Sequence, residues 1–468
     1  MCNFFGFIPF REKKGSVSQR TILPLLLGIA SIFLLSPDID VSALTTNELK
    51  KQQEDQQGPP LTTDEIAFLD SLDHLENDDI EAASAVLEAS FASSARNADP
   101  EKRFNRLSQR KISLGGGTTF TSEYKIRQDI EQAEYLAEAL YHENRDPQKA
   151  EFFESVVLPV YRQLLSRIPP LEELNETLGL YKFQRSDVDY GIMNFYNRAL
   201  HVPDVSATRP DGTPIPIFSE SLDTDQIQKD WVNSNGIVVV DNLLSKESLE
   251  LIQQKILWES TVWYQTKLPQ RFGGYTGAYI DDGLHQRILL QLSVDLKKLL
   301  PDIFEGHPLK YMWAYKCEYS IAFFGYNLFS NEISNRNLSF TDDSDYGGIN
   351  LHADEAAVNV NIWLTPNEAN LDPNSGGLVI YTMKPPQDWD FERYNRDTDF
   401  VYEQLLEPSG FANVTVPFRE NRAVIFDSAL FHTSDEFKFK KGYKNRRINL
   451  TLLYGDMQKQ QNFQSSEL

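Results

Sequence analysis

From residue 231 onward the apolar pattern of this chain changes from helical spacing to strand spacing, and that switch constrains the fold more than any single motif. "GIVVVDNLLS" (Gly236–Ser245) is an apolar run closed by a polar turn, and "KESLELIQQKILWES" after it is a short amphipathic helix. Short β-rich runs follow at Leu309–Tyr319, Ala357–Leu364, Gly377–Thr382, Val414–Phe418, Arg422–Phe426 and Arg447–Tyr454, divided by Gly, Pro, Asn and Asp. Short strands with turn formers between them suit a barrel or a two-sheet jelly roll, in which each strand offers a face to the core. The expected class is α+β: a C-terminal jelly-roll, cupin-like barrel with flanking helices over residues 231–456, then a polar tail, 457–468.

Helical spacing dominates before the switch. "DEIAFLDSLDHLENDDIEAASAVLEASF" (Asp64–Phe91) has apolar residues at helical intervals, with Thr62 or Thr63 as cap. Ser122–Glu143 puts Ile126, Ile130, Ala133, Leu136 and Leu140 on one face, and Gln148–Ile168 reads as a third helix bent at Pro159. Gly116-Gly117 lacks the Lys-Ser/Thr and the preceding strand of a phosphate loop and reads as a linker. Residues 44–205 are thus an acidic, mostly helical region, and the turn-rich 206–230 a linker.

With Lys plus Arg at 45 and Asp plus Glu at 68, the net charge of −23 argues against a nucleic-acid partner. Gln52–Ala95 holds no Lys or Arg and reads as a solvated acidic face. Two cysteines, Cys2 and Cys317, supply neither a disulfide framework nor a cysteine metal site; Cys317, inside an aromatic run, reads as a small buried hydrophobe.

Residues 1–43 form a leader. Arg11, Lys13, Lys14 and Arg20 precede "TILPLLLGIASIFLL" (Thr21–Leu35), and "VSA" (Val41–Ala43) has small residues where a signal peptidase reads. A cleaved signal peptide and a retained anchor both fit. Either implies N-terminal membrane contact and a body in the secretory lumen or at its membrane. Sequons at Asn175, Asn337 and Asn413 are compatible with that; the one at Asn449 falls in an expected core strand.

The chemistry begins in "GINLHADEAAVNVNIWL" (Gly348–Leu364). In extended backbone His352 and Asp354 share a face, so two ligands two residues apart can grip one ion. His432 comes just past the buried-type strand in "AVIFDSALFHTSDEF" (Ala423–Phe437). Two histidines and one carboxylate form a facial set suited to Fe(II) with open coordination positions. In "NRRINLTLLYG" (Asn445–Gly455), Arg447, Asn449 and Thr451 share a face, and a guanidinium on an inner barrel face calls for an anion such as a carboxylate. Asn359 and Asn361 face either the site or solvent.

These motifs resemble the 2-oxoglutarate and Fe(II)-dependent dioxygenases. The resemblance implies a double-stranded β-helix, with His352, Asp354 and His432 holding Fe(II), and Arg447, aided by Thr451, holding 2-oxoglutarate. It implies decarboxylation of 2-oxoglutarate to succinate coupled to oxidation of a protein, peptide or small-molecule substrate, with ascorbate a candidate reductant. Asp354 favours hydroxylation over halogenation, because halogenating members carry a small residue there. Together with "GYTGAYIDDG" (Gly274–Gly283) and "IRQDIEQAEYL" (Ile126–Leu136), the chain is similar from residue 120 to 456 to a little-characterised branch found in some tetratricopeptide-containing bacterial proteins. The long gap from His432, with "FKFKKGYK" inserted, leaves Arg446 and Arg447 in competition; alternation favours Arg447. Rival readings are an inactive barrel serving as a membrane-tethered binding or scaffold protein, and a zinc hydrolase using the same ligands.

Overall fold

The computed structural model describes residues 61–93, 120–142, 145–170, 173–174, 179–267, 274–317, 349–386 and 389–457. The leader with Cys2, the Gly-rich segment up to residue 119, Asn175, Asn337 and the tail from 458 lie outside the described residues. Among the described residues no helix is long and apolar enough to cross a membrane.

Ten strands build two antiparallel sheets that share one apolar core. The larger has the order β1 (Ile237–Asp241), β8 (Arg422–Asp427), β5 (Val358–Trp363), β10 (Ile448–Tyr454), β4 (Leu309–Cys317), β3 (Tyr275–Tyr279) and β2 (Gln265–Lys267). The smaller is β9 (His432–Ser434), β6 (Leu378–Tyr381) and β7 (Asn413–Val416). This is the jelly-roll arrangement expected from the strand spacing.

Register fixes which side chains share a face. Asn361 lies opposite Thr451 and Val424, and Thr451 lies opposite Trp313. Asn359 likewise lies level with Leu453 and Tyr311, and Trp363 with Asn449 and Tyr315. Directly opposed residues project to one side, so these belong to the face turned toward the smaller sheet. On the other face Val360, Ile362, Leu450, Leu452, Met312 and Ala314 are wholly buried. Helices close over them: Gln253 donates to Leu364 O (2.9 Å), and Tyr454 OH to Ser293 O (2.9 Å) on α4 (Arg287–Leu299). All six residues of β5 are buried, because both of its faces are covered.

The segment Asp64–Phe91 is a helical hairpin, not one helix. α1 (Thr63–Glu76) starts at a capping box between Thr62 and Glu65, and α2 (Ile80–Ser93) follows a break in which Asp78 takes a positive φ of 62°. Its acidic face is solvated, as the sequence suggested, yet it also meets basic residues. Asp78 pairs with Lys298 (2.8 Å), Glu81 with Arg287 (3.1 Å) and Glu88 with His285 (3.0 Å). Phe68, Leu87 and Phe91 enter the barrel core. The hairpin therefore belongs to the barrel, since its acids meet basic residues on and just before α4 that are distant in sequence.

A second core unites α3 (Glu123–Tyr141) with the helical run 147–165. That run carries a π-turn, Phe153–Val157, immediately before Pro159. Residues 206–230 differ from a free linker: Ile215 and Ile217 are buried in the barrel core, and Ser245 N donates to Ile217 O (2.9 Å). The reason lies in "PIPIF", where apolar residues alternate with proline, so an extended path puts every second side chain inside.

Candidate metal centre

His352 and Asp354 lie in the loop entering β5, and His432 opens β9. Two backbone bonds tie the segments together, His352 N to His432 O (3.0 Å) and His432 N to His352 O (2.8 Å), while Asp354 N donates to Ser428 O (3.1 Å). The side chains converge. His352 Nε2 is 3.8 Å from Asp354 Oδ1, His432 Nε2 is 3.5 Å from Asp354 Oδ2, and one ligand atom from each lies within 4.8 Å of the others.

Backbone carbonyls set the tautomers. His352 Nδ1 is 2.7 Å from Asn350 O and His432 Nδ1 3.0 Å from Leu430 O; as Nδ1–H donors, both rings turn a bare Nε2 toward Asp354. Burial, reinforced by neighbouring His352, pushes the His432 imidazole well below its usual range, so it is a neutral donor. Burial raises Asp354, partly offset by His352 and by the hydrogen bond from Asn359. Asp354 and His432 are only 2% and 4% exposed at their side chains, whereas His352 is 23% exposed and marks the open side. A desolvated carboxylate beside two imidazoles whose Nδ1 atoms are engaged by backbone carbonyls fits a divalent cation, whose charge would offset the carboxylate's burial.

From Asp354 a polar ladder crosses the inner face. Asn359 Nδ2 donates to Asp354 Oδ2 (2.6 Å), Asn361 Nδ2 to Asn359 Oδ1 (2.9 Å), and Asn449 Nδ2 to Asn361 Oδ1 (3.0 Å). The V-N-V-N alternation of β5 thus turns its asparagines to the site. Thr451 is built into the ladder: its hydroxyl donates to Asn361 Oδ1 (3.1 Å) and accepts from Asn449 Nδ2 (3.0 Å). Four residues separate it from Arg447, about 13 Å along an extended strand.

The two adjacent arginines separate by parity. Arg446 points to the outer face, where Nε (3.0 Å) and Nη2 (2.8 Å) meet Glu131 Oε2 on α3. Arg447 points inward and is 2% exposed. One edge of its fork is occupied, since Nε donates to Gly376 O (2.8 Å) and Nη2 to Gly377 O (3.0 Å). Nη1 is 4.0 Å from Cys317 Sγ, and Phe437 lies under the guanidinium at 5.3 Å. The Nη1–Nη2 edge keeps N–H donors suited to a planar anion.

Sequence reading missed Tyr315, which pairs with Tyr275 at a ring-centroid distance of 4.4 Å. Tyr315 lies opposite Asn449 and Tyr275 opposite Cys317, which puts both on the inner face; burial raises both phenols well above their usual range, reinforced by Tyr315 at Tyr275 and by Tyr279 at Tyr315. "GYTGAYIDDG" is largely strand β3; beyond it Asp281 accepts from Tyr311 OH (2.6 Å). Asn395 was also missed, because helix α5 (Phe391–Arg396) reaches the site from an insertion between β6 and β7 whose sequence shows no ligand-like spacing.

No family model matches the chain, and no curated protein does. Among solved structures it is similar to a prolyl hydroxylase from Trichoplax adhaerens in complex with a hypoxia inducible factor peptide fragment, with 15% identity over 50% of this chain and 90% of that one and a TM-score of 0.31. It is also similar to a Pseudomonas putida prolyl-4-hydroxylase, with 11% identity over 50% and 98% and a TM-score of 0.30. A third is HygX from Streptomyces hygroscopicus with nickel, 2-oxoglutarate and hygromycin B bound, with 12% identity over 52% and 88% and a TM-score of 0.31.

Proposed function

We propose that the protein is an Fe(II)- and 2-oxoglutarate-dependent oxygenase acting on a peptide or small-molecule substrate. The observation that carries this reading is one inner face bearing both a convergent His352–Asp354–His432 set and the buried, anion-ready Arg447. The bound metal and co-substrate would supply O₂-dependent decarboxylation to succinate coupled to substrate oxidation. The chain supplies the rest. The two Nε2 atoms and the Asp354 carboxylate hold the metal, and Asn359 orients the carboxylate. Arg447 receives the distal carboxylate through its open edge, and the Tyr275–Tyr315 wall keeps water away. The exposed side of His352 leaves the substrate an approach.

Anaerobically purified protein should convert 2-oxoglutarate to succinate on addition of Fe(II) and O₂, with ascorbate sustaining turnover. The His352→Ala variant should not, while keeping its fold by circular dichroism. Binding of 2-oxoglutarate without succinate across peptide and small-molecule panels would favour the scaffold alternative. Zinc-supported hydrolysis that survives loss of Arg447 would favour the hydrolase. The leader supports translocation into the secretory pathway; digestion of the barrel from the cytosolic side of sealed microsomes would overturn that part.

A further inference from the structure

We infer that Asn395 is a positioning residue that sets the angle between the His352 and Asp354 side chains, an inference that rests on the metal reading above. Asn395 belongs to α5, in the insertion between β6 and β7, and its amide grips the one residue between the two ligands from both sides. Ala353 N donates to Asn395 Oδ1 (2.9 Å), and Asn395 Nδ2 donates to Ala353 O (3.0 Å). Ala353 is wholly buried. The N–H it offers belongs to the peptide shared with His352, and the carbonyl to the peptide shared with Asp354. Fixing both peptide planes fixes the Cα–Cβ directions of both ligands, as a strand partner would where β pairing has ended.

The same insertion backs the third ligand. Tyr394, next to Asn395, packs edge-on against Phe431 at 5.3 Å, and Phe431 precedes His432. Tyr394, Phe431, Ala353, Leu351, Tyr381, Val401, Leu405 and Leu406 form a separate small core. α5 is itself capped by Asp390, which accepts from Arg393 N (2.8 Å). The clamp therefore stands on its own packed support and not on a loose loop, as an outer partner that orients metal ligands must.

The test uses the full chain with Co(II) alone as the probe, read by equilibrium titration and by the d–d absorption band. Asn395→Ala should raise the Co(II) Kd by roughly 10- to 100-fold, as loss of a ligand-orienting partner does, and should change the band. Asn395→Asp keeps the acceptor for Ala353 N and loses the donor, so it should fall between wild type and Asn395→Ala; it also carries the test if the alanine variant does not fold. Leu406→Ala, which weakens the same small core without touching the clamp, should lower Tm and leave the Co(II) Kd and band unchanged. A wild-type Kd and band in both Asn395 variants would overturn the inference. So would equal changes in the Asn395 and Leu406 variants, since the role would then be structural only. If wild type binds no Co(II), the metal reading itself fails and the inference falls with it.

Discussion

The two faces of the larger sheet are built from the same strands and do opposite things. The outer face is Val360, Ile362, Leu450, Leu452 and Ala314, all without exposed surface and packed under helices. The inner face alternates with it and carries, beside Trp363, Leu453 and Trp313, the polar Asn359, Asn361, Asn449, Thr451 and Arg447, which are buried as well. Burial therefore does not distinguish them. Apolar burial on one face contributes stability, while buried amides and a guanidinium on the other are tolerable only because each is hydrogen-bonded.

Breaking the outer face should give the largest change in stability. Ile362→Ala should lower unfolding free energy by about 2–5 kcal/mol, measured by urea melts, and leave Co(II) affinity unchanged. A lost metal site at unchanged stability would show that the faces are assigned the wrong way round.

A second buried polar knot sharpens the comparison, because it holds charge without a site. Glu259, 2% exposed at its side chain, meets Arg145 at 2.6 Å, Lys255 at 3.2 Å and His201 at 3.7 Å. Burial alone would raise its pKa, but those partners together lower it from 4.5 to about 2. The folded pKa lies below the unfolded one, so the stabilisation is full above pH 4.5 and is lost as pH falls toward 2. At about 1.4 kcal/mol per unit it amounts to about 3 kcal/mol. Glu259→Gln should flatten the acid limb of the stability–pH curve and leave 2-oxoglutarate turnover at neutral pH intact; an unchanged acid limb would exclude the pairing.

How much of this was legible in the sequence follows from the same alternation. The strands, the shared face of His352 and Asp354 and the inward turn of Arg447 rather than Arg446 could be read because period 2 is written into the chain. What covers each face could not. The docking of α1 and α2 depends on Lys298, Arg287 and His285, which lie some 200 residues away. The burial of Ile215 and Ile217 was masked by the prolines beside them. Asn395 carries no local pattern because its role is to reach a backbone distant in sequence. Sequence could place Thr451 on the correct face but could not show that its hydroxyl is already committed.

Arg447 is the next test of the inner face. Arg447→Ala should raise the KM for 2-oxoglutarate by roughly 30-fold or more, about 2 kcal/mol, because a buried carboxylate loses a charge-assisted partner. Metal affinity should hold. Arg447→Lys should rescue only in part, since it keeps the charge and loses the fork. Arg446→Ala should instead affect stability through Glu131 and change KM several-fold less; an exchange of the two behaviours would shift the register of β10 by one.

The smallest effect is expected at Thr451, and it separates two roles. If Thr451 touched 2-oxoglutarate, Thr451→Val would raise KM alongside Arg447→Ala. The structure instead commits its hydroxyl to Asn361 and Asn449. Valine has nearly the same shape, so the loss is two hydrogen bonds and not volume. Asn449 Nδ2 and Asn361 Oδ1 stay bonded to each other, so each lost hydrogen bond costs only about 0.5–1.5 kcal/mol, and the loss should appear in urea melts. The KM for 2-oxoglutarate should move by less than tenfold, under about 1.4 kcal/mol, because Arg447 keeps its hold on Gly376 and Gly377. Asn361→Ala should cost more stability than Thr451→Val, as it cuts the bonds to Asn359, Asn449 and Thr451 together. A Thr451→Val variant with wild-type stability and a KM raised as far as that of Arg447→Ala would place the hydroxyl on the co-substrate and take it out of the ladder.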